Sequence, residues 1–332
     1  MSLSAPLASI APRISGVQPA ISPAALTARR KAFRAFHEQG CFVIPNPWDV
    51  GSARYLEQLG FLALATTSAG FAFSQGLPDT NDCGILGRDQ TLAHIASITA
   101  AVALPVSADF MSGYGREPEE VAESVAQCVA TGVAGLSIED GTGEPTSPLY
   151  ELPIAVERVR AAREGIDRSG GDVLLTARAE CYHLGHPDPF RESVRRLQAY
   201  AAAGADVLFA PGVQDRAEIK ALVEAVAPKP LNLLVVQDNG LSVEHIAALG
   251  VRRISVGGAL ALAAWTGFIR AARTLRSQGS FAGLTSLVPY SEINSLFHTN
   301  LHGHLEDECG RSESLDPDNI GDIADEGAGH RG

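Results

Sequence analysis

From residue 26 onward, stretches with helical periodicity alternate with short apolar runs, and this alternation restricts the fold more than any other feature of the chain. The runs predict eight strands, at 41–45, 61–66, 105–108, 134–138, 172–177, 206–209, 231–236 and 252–256. Because the runs are continuously apolar, they are typical of strands buried on both faces. Eight strands, each followed by a helix, indicate an α/β protein with a (β/α)8 TIM barrel. A doubly wound open sheet is the alternative, although its usual glycine-rich first turn is replaced here by Asn46-Pro47-Trp48-Asp49.

The periodicity also places the helices. They are predicted at 26–38, 50–59, 89–102, 117–131, 151–165, 188–202, 214–226, 243–249, 258–277 and 281–297. Four of them end on a glycine just before a strand, at Gly60, Gly132, Gly204 and Gly250. Glycine is favoured there because the residue after a last helical turn often adopts a left-handed conformation.

Composition divides the chain into an arm, a body and a tail. Residues 1–25 contain one Arg and no acid, which predicts a disordered arm, with a transit peptide as the alternative. Residues 26–297 are predicted to form the barrel with its C-terminal helices. Residues 298–332 are predicted to be a disordered acidic tail, since 306–326 hold nine acids and one Arg. Much of the net charge of −12 therefore lies outside the body.

Several classes of protein are excluded by composition. No run of 18 apolar residues is present, so no membrane partner is expected. The body has no basic stripe, which argues against a nucleic-acid partner. The five cysteines, at 41, 83, 128, 181 and 309, are odd in number and form no CxxC pair. This usage favours a reducing compartment, and we expect a cytoplasmic protein.

A barrel concentrates its chemistry at the carboxyl ends of its strands. The polar residues predicted there are Asn46, Asp49, Thr66, Thr67, Ser68, Ser107, Asp109, Glu139, Asp140, Arg178, Glu180 and Asn232. Asp109 and Glu139 come from neighbouring strands, and one or two carboxylates with waters are a usual Mg²⁺ shell. The sequence therefore predicts a Mg²⁺ site, with Mn²⁺ as an alternative ion. Arg178 is suited to clamp a substrate carboxylate in two hydrogen bonds.

Each of these residues also has a plainer interpretation. An acid at a strand end can cap a helix or lie in a surface loop, and Asp140 is expected to bind nearby backbone. His183 and His186 lie in a loop without zinc-ligand partners and are expected to be solvated. Cys181 is expected to be a packing residue. Asp109, Glu139 and Arg178 together favour a functional site.

Eight segments, in this order, resemble the isocitrate lyase/phosphoenolpyruvate mutase superfamily over about residues 30–297. They are Asn46-Pro47-Trp48-Asp49, Thr66-Thr67-Ser68-Ala69-Gly70, Gly76-Leu77-Pro78-Asp79, Ala108-Asp109, Gly113-Tyr114-Gly115, Ile138-Glu139-Asp140, Thr176-Ala177-Arg178 and Lys229-Pro230-Leu231-Asn232. The resemblance implies a barrel that uses Mg²⁺, a 2-oxo or 2-hydroxy carboxylate substrate and an enolate intermediate.

The resemblance also implies roles for single residues. Asp109 matches the metal-binding aspartate, and Glu139 matches a glutamate of the metal shell. Asp79 matches an acid of the gating segment, and Arg178 matches the arginine that binds the substrate carboxylate. Substrate-binding groups correspond to Thr66, Thr67, Ser68 and Asn232. In many members the last barrel helix is exchanged between subunits, which implies a homodimer or homotetramer.

Two departures from the family pattern bear on the reaction. Ser107 stands where the family often has an aspartate, which removes a negative charge near the metal. The isocitrate lyases carry a Lys-Lys/Arg-Cys-Gly-His loop after the fourth strand, whereas residues 141–150 contain no Cys, Lys or His. Isocitrate lyase activity is therefore not expected. Thr142, Thr146 and Ser147 are hydroxyl donors in that loop, but a mutase-type phosphoryl site is not evident.

These observations predict a Mg²⁺-dependent carbon–carbon lyase that acts on a small 2-oxo or 2-hydroxy (di)carboxylic acid. Oxaloacetate decarboxylation or cleavage of a substituted malate would fit. In this scheme Arg178, Asp79 and Glu139 act in catalysis, and Asp109 and Glu139 hold the metal. Two alternatives stay open. One is phosphorus–carbon chemistry, as in phosphoenolpyruvate mutase or phosphonopyruvate hydrolase, and the other is a carboxylate-binding barrel without turnover.

Overall fold

The computed structural model describes residues 21–80 and 85–298, and eight parallel strands dominate it. The strands are β1 (Phe42–Ile44), β2 (Leu64–Ala65), β3 (Val106–Asp109), β4 (Gly135–Glu139), β5 (Leu174–Arg178), β6 (Val207–Phe209), β7 (Leu231–Leu234) and β8 (Arg253–Ser255). Neighbours in sequence pair from β2 to β8, and β1 pairs with β8. Because the first strand pairs with the last, the sheet curls into a barrel, which confirms the predicted fold over the doubly wound alternative.

Strands β1 and β2 are the two edges of the sheet, and the seam between them is bridged largely by one side chain. Asn46 donates from Nδ2 to the Thr66 carbonyl at 3.0 Å, and its Oδ1 accepts from Val256 N at 2.9 Å and Gly257 N at 2.8 Å. A backbone bond from Ala65 N to Pro45 O, 3.0 Å long, spans the same seam. Asn46 thus ties the ends of three strands together, which gives it a structural role at the rim.

Helices follow the strands in the predicted order. They are α1 (Pro23–Phe36), α2 (Val50–Gln58), α3 (Ser68–Ser74), α4 (Arg88–Ala101), α5 (Pro118–Ala130), α6 (Leu152–Arg168), α7 (Pro189–Ala202), α8 (Arg216–Val226), α9 (Val243–Ala248) and α10 (Ala259–Gln278). The four predicted terminal glycines, Gly60, Gly132, Gly204 and Gly250, all have positive φ. The helix-end prediction is therefore confirmed at each of them.

Three helix predictions need correction. Helix α1 begins at Pro23, not at 26, because Ser22 caps it and proline suits the first helical position. Helix α3 was not predicted, since its seven residues are too few for a periodic pattern. The helix predicted at 281–297 is wrong in its first half. Only a 3₁₀ turn occurs at Ala282–Leu284, and helical structure resumes at 290, because Pro289 disfavours a helical conformation at the preceding residue.

The main core packs between the sheet and the surrounding helices. It joins strand residues such as Leu136 and Leu175 to helix residues such as Val125 and Leu197, all fully buried. A second cluster joins Phe33 of α1 to residues near the amino ends of the strands, among them Phe42 and Leu174. The opposite rim, at the carboxyl ends, is left for the cavity described below.

The compact barrel unit extends to Ala272, and residues from Arg273 onward belong to a second unit, described as far as residue 298. The proposed boundaries of the arm, body and tail stay predictions. Most of the arm, the tail from 299, and Cys83 and Cys309 lie outside the described residues. Within the described part of the chain, no helix has both the length and the apolar character needed to cross a bilayer.

Candidate active site

A cavity of about 310 Å³ lies at the carboxyl ends of the strands, where barrels place their active sites. Every residue that the sequence singled out for catalysis, substrate binding or metal binding lines it: Thr66, Thr67, Ser68, Asp79, Asp109, Glu139, Arg178 and Asn232. The structure therefore brings the candidate residues together. The predicted strand-end position is wrong for Asn232, which is the second residue of β7, and Asp79 comes from the segment after α3. What each of them does depends on its contacts.

Arg178, the last residue of β5, lies among three carboxylates. Its Nη1 donates to Asp109 Oδ1 at 2.9 Å, Nη2 lies 3.1 Å from Glu139 Oε2, and Nε donates to Glu180 Oε1 at 2.8 Å. Burial alone lowers the pKa of Arg178, but the three carboxylates outweigh burial and leave the pKa raised. The guanidinium group is thus permanently charged, and each of its three nitrogens has one of the protein's own acids as a partner. Three of its five N–H donors are used in this way, so a substrate carboxylate could bind only the remaining two.

The cavity carries more acid than Arg178 can neutralise. Asp79 joins Asp109, Glu139 and Glu180 among the lining residues, so four carboxylates face one guanidinium at the rim. The pKa of Asp79 is raised, first by burial and then by the charge of Asp109. Excess negative charge on oxygen-only donors fits a hard divalent cation, Mg²⁺ or Mn²⁺, that keeps several waters. In residues 21–80 and 85–298 no group of three His, Cys, Asp or Glu side chains is arranged to hold a metal ion. Mg²⁺ is often bound by only one or two carboxylates together with waters and substrate.

Two of the predicted substrate donors hold Asp109 in place. The Thr66 hydroxyl accepts from Asp109 N at 2.9 Å, and Ser68 N donates to Asp109 Oδ2, also at 2.9 Å. The Ser68 hydroxyl donates to Asp79 Oδ1 over a longer 3.4 Å. Thr67 caps α3, since its Oγ1 accepts from Gly70 N at 3.2 Å. The Thr66–Ser68 segment therefore orients the acids of the cavity as well as lining it.

The loop after β3 is held in a strained shape beside the cavity. Met111 and Tyr114 have φ values of 46° and 53°, which cost a non-glycine residue on the order of 1 kcal/mol each. The Met111 carbonyl accepts from Glu139 N at 2.9 Å, so this shape fixes the backbone of Glu139. Buried Arg158, on α6, donates to the carbonyls of Ser112 and Gly115 at 2.5 and 2.8 Å. Arg158 thereby keeps the loop closed against the barrel.

Asp140 belongs to a buried network behind the cavity, as its predicted structural role requires. Its Oδ1 accepts from Glu180 N at 2.8 Å, and Oδ2 accepts from Arg196 Nη1 at 2.9 Å and Tyr200 Oη at 2.5 Å. Burial raises the pKa of Asp140 in spite of Arg196. The network joins the end of β4 to β5 and α7, so it sets the position of Glu180.

Replacing Arg196 by Met is expected to destabilise the protein by about 3–5 kcal/mol, because Asp140 would be left as a buried acid without its cation. Arg195 is the matched control: both arginines bind Glu192, but the side chain of Arg195 is 60 % exposed. Because solvent screens such a pair, the Arg195→Met change should stay within about 0.5 kcal/mol. Urea unfolding of both variants tests this prediction. Equal costs for the two changes would contradict the assigned role of Arg196.

Two further residues line the cavity, Glu180 and His183. The sequence placed Glu180 at a strand end without giving it a role, and it predicted that His183 would be a solvated loop residue. Glu180 is buried and accepts from Arg178, and its other oxygen, Oε2, lies 3.2 Å from His183 Nδ1. Burial alone would raise the pKa of Glu180. Arg178 and His183 together have a larger opposite effect, so the pKa lies below its usual value. A Cβ on Gly212 would lie 3.0 Å from His183 Cδ2, so glycine there leaves room for the imidazole. The sequence did contain a signal for Glu180. It lies two residues after Arg178, and side chains at that spacing on an extended chain face the same side.

The loop at 141–150 folds on itself and contributes nothing to the cavity lining. Gly141 bridges Leu149, and Thr142 Oγ1 donates to the Ser147 carbonyl at 2.6 Å while accepting from Glu144 N at 2.9 Å. The Thr142 hydroxyl is therefore used within the loop. The predicted hydroxyl donors Thr142, Thr146 and Ser147 are absent from the cavity wall.

Comparison with known proteins gives one consistent relationship. The family model for phosphoenolpyruvate phosphomutase matches residues 33–276. An oxaloacetate decarboxylase of Bradyrhizobium diazoefficiens is 30 % identical over 223 residues, which cover 63 % of this chain and 74 % of the relative.

Two crystal structures are similar over most of the chain. One is a candidate lyase/mutase from Burkholderia cenocepacia J2315, with 46 % identity, a TM-score of 0.78 and coverage of 82 % of this chain and 97 % of that one. The other is a 2,3-dimethylmalate lyase, with 28 % identity, a TM-score of 0.74 and coverage of 86 % and 99 %. The similar proteins thus include enzymes that break carbon–carbon bonds of small dicarboxylates.

Proposed function

Because the chain belongs to the isocitrate lyase/phosphoenolpyruvate mutase superfamily, we propose that it is a Mg²⁺-dependent carbon–carbon lyase of a small 2-oxo or 2-hydroxy dicarboxylic acid. The observation that carries the proposal is the group of four carboxylates around Arg178 at the barrel rim. Such a group attracts a divalent cation, and its charged guanidinium attracts a substrate carboxylate. Relatives named for oxaloacetate and 2,3-dimethylmalate point to the same substrate class.

In this proposal Asp109 and Glu139 hold the ion, with waters in the remaining positions. The ion would act as a Lewis acid that stabilises the enolate oxygen formed when the carbon–carbon bond breaks. Arg178 fixes Asp109 and Glu139 from one side and presents positive charge to the substrate carboxylate. Ser68 and Asn232 contribute neutral hydrogen bonds around the substrate.

Proton transfer falls to groups at the cavity wall, since the 141–150 loop lacks the cysteine and histidine of the isocitrate lyase loop. The raised pKa of Asp79 lets this acid hold a proton more readily than an ordinary aspartate. Buried Glu180 orients the His183 imidazole through Nδ1, so Nε2 is the nitrogen available to exchange a proton. Water can supply the proton when carbon dioxide is the leaving group.

A substrate panel tests the proposed reaction class. Oxaloacetate and 2,3-dimethylmalate are incubated with the protein and Mg²⁺, and the keto-acid products are followed by chromatography. Phosphonopyruvate is tested in parallel by ³¹P NMR, because the matching family model is that of a phosphomutase. Turnover of phosphonopyruvate alone would replace the lyase proposal by phosphorus–carbon chemistry. Binding of oxalate with Mg²⁺, without turnover of any substrate, would indicate a carboxylate-binding barrel.

We further propose that the protein is a homodimer or homotetramer in which α10 is exchanged between subunits. Of the residues of α10 only Ala261 is buried, and an apolar face of Leu262, Trp265, Phe268 and Ile269 is solvent-exposed in the single chain. Such a face on a helix indicates a contact with another polypeptide.

Free Cys41, Cys128 and Cys181 support a reducing location such as the cytoplasm.

Replacing Phe268 by Asp is expected to dissociate the oligomer, because the side chain is 61 % exposed in the single chain and a charge would be buried at the interface. Val243, on α9, is 45 % exposed and gives the control variant Val243→Asp. Light scattering coupled to size exclusion measures both masses. A Phe268→Asp variant that keeps the wild-type mass would contradict the exchanged helix.

A further inference from the structure

Arg253, the first residue of β8, is a buried cation in the barrel interior. Only 5 % of its surface is exposed, and it lies at the inner end of the cavity whose rim holds Arg178. Its Nε donates to Asn232 Oδ1 at 2.7 Å, Nη2 donates to Thr176 Oγ1 at 3.0 Å, and Nη1 lies 3.4 Å from His37 Nε2. Among the residues that the structure describes, no carboxylate lies within 4.0 Å of this guanidinium.

The three partners of Arg253 are neutral. Asn232 and Thr176 have no charge, and the pKa of His37 falls to about 3 because of burial and then of Arg253 itself. His37 Nδ1 lies 2.8 Å from the Phe33 carbonyl, to which it donates, so Nε2 is left as the acceptor for Arg253. Burial without an acid lowers the pKa of Arg253 to about 9, which still leaves the group charged at neutral pH. A buried cation without a counter-ion is costly, and an anion beside it would offset the cost.

The cavity reaches this cation through small polar residues. Ser107, Ser137 and Ser255 line its inner part, where barrels usually pack branched apolar side chains. Serines leave space that valine or isoleucine would fill.

We propose that Arg253 forms a second anion-binding subsite, which receives the distal carboxylate of the dicarboxylic substrate. This inference rests on the proposed function and names the part of the molecule that selects dicarboxylates over monocarboxylates. Asn232 and Ser255, which are joined by a 2.9 Å hydrogen bond, flank the subsite with neutral donors.

The spacing along β5 fits a substrate of this length. Thr176 and Arg178 are two residues apart on one strand, which corresponds to about 6.6 Å. Arg253 binds Thr176, whereas Arg178 belongs to the rim, so the two guanidinium groups occupy successive layers of the barrel interior. One end of a four- or five-carbon diacid can therefore lie at the acid-rich rim while the other end reaches Arg253.

Binding of malate and lactate, each with Mg²⁺, tests the subsite by isothermal titration calorimetry. The two ligands share the 2-hydroxy carboxylate, and only malate has a distal carboxylate. Wild-type protein is expected to bind malate at least about tenfold more tightly than lactate, as a charge-assisted hydrogen bond allows. In Arg253→Met this preference should disappear while lactate binding stays within about twofold.

Arg253→Lys keeps the charge and covers the case in which the Met variant does not fold. It is expected to retain part of the malate preference, because lysine cannot reproduce the hydrogen bonds to both Asn232 and Thr176. Equal affinity of wild-type protein for the two ligands, or an unchanged preference in the Met or Lys variant, would overturn the subsite. Failure of the proposed lyase activity is a separate result, since it would leave the difference in binding intact.

Discussion

Replacing Arg178 by Met is expected to lower kcat/KM by roughly 10²–10³-fold and to destabilise the fold by about 3–5 kcal/mol. The catalytic loss follows from removing the charge that orients both the substrate carboxylate and the two metal-binding acids. The loss of stability follows because Asp109, Glu139 and Glu180 are each bound to Arg178 and would then repel one another. Steady-state kinetics and urea unfolding measure the two effects.

Arg178→Lys separates charge from geometry. Lysine restores one positive charge but cannot bind three carboxylates in the planar arrangement of the guanidinium. Stability should therefore recover more than activity does. Mg²⁺ should also raise the melting temperature of Arg178→Met more than that of the wild type, because the ion would neutralise the unpaired acids. A Met variant with near-wild-type kinetics would show that Arg178 is only structural.

Asp109→Asn is expected to abolish Mg²⁺-dependent turnover, with a loss of at least about 10³-fold. Asparagine has nearly the same size and keeps an oxygen that can accept from Ser68 N, as Asp109 does at 2.9 Å. The charge on the metal ligand is what changes. The exposed acid Asp49 supplies the control, since it lies at the rim but caps α2 through Ser52 N. Asp49→Asn should leave turnover nearly unchanged and cost no more than about 1 kcal/mol of stability.

Strand-end placement could be predicted from the sequence because apolar runs mark the strands and parallel strands end at one rim. Asp109, Glu139 and Arg178 followed directly from that rule. The contacts of Arg178 with three of the protein's own acids could not be predicted, since they depend on side-chain directions across three strands. The seven-residue helix α3 likewise leaves no periodic pattern to recognise.

The burial of Arg253 could not be predicted for a different reason. It follows Arg252 in the sequence, and one of two adjacent arginines faces outward while the other faces the barrel interior. Which one is buried depends on the register of β8, and a shift of one residue would exchange them. His183 was set aside as a loop histidine, and only the fold places it against Glu180 and Gly212.

The most direct test of the metal-dependent lyase is pyruvate formation from oxaloacetate, measured for wild-type protein and Asp109→Asn, each in Mg²⁺ and in EDTA. The rate with Mg²⁺ but no protein is subtracted, since the free ion also promotes this decarboxylation. Turnover is expected only for the wild type in Mg²⁺. Equal rates for both proteins in Mg²⁺, or full wild-type activity in EDTA, would contradict it.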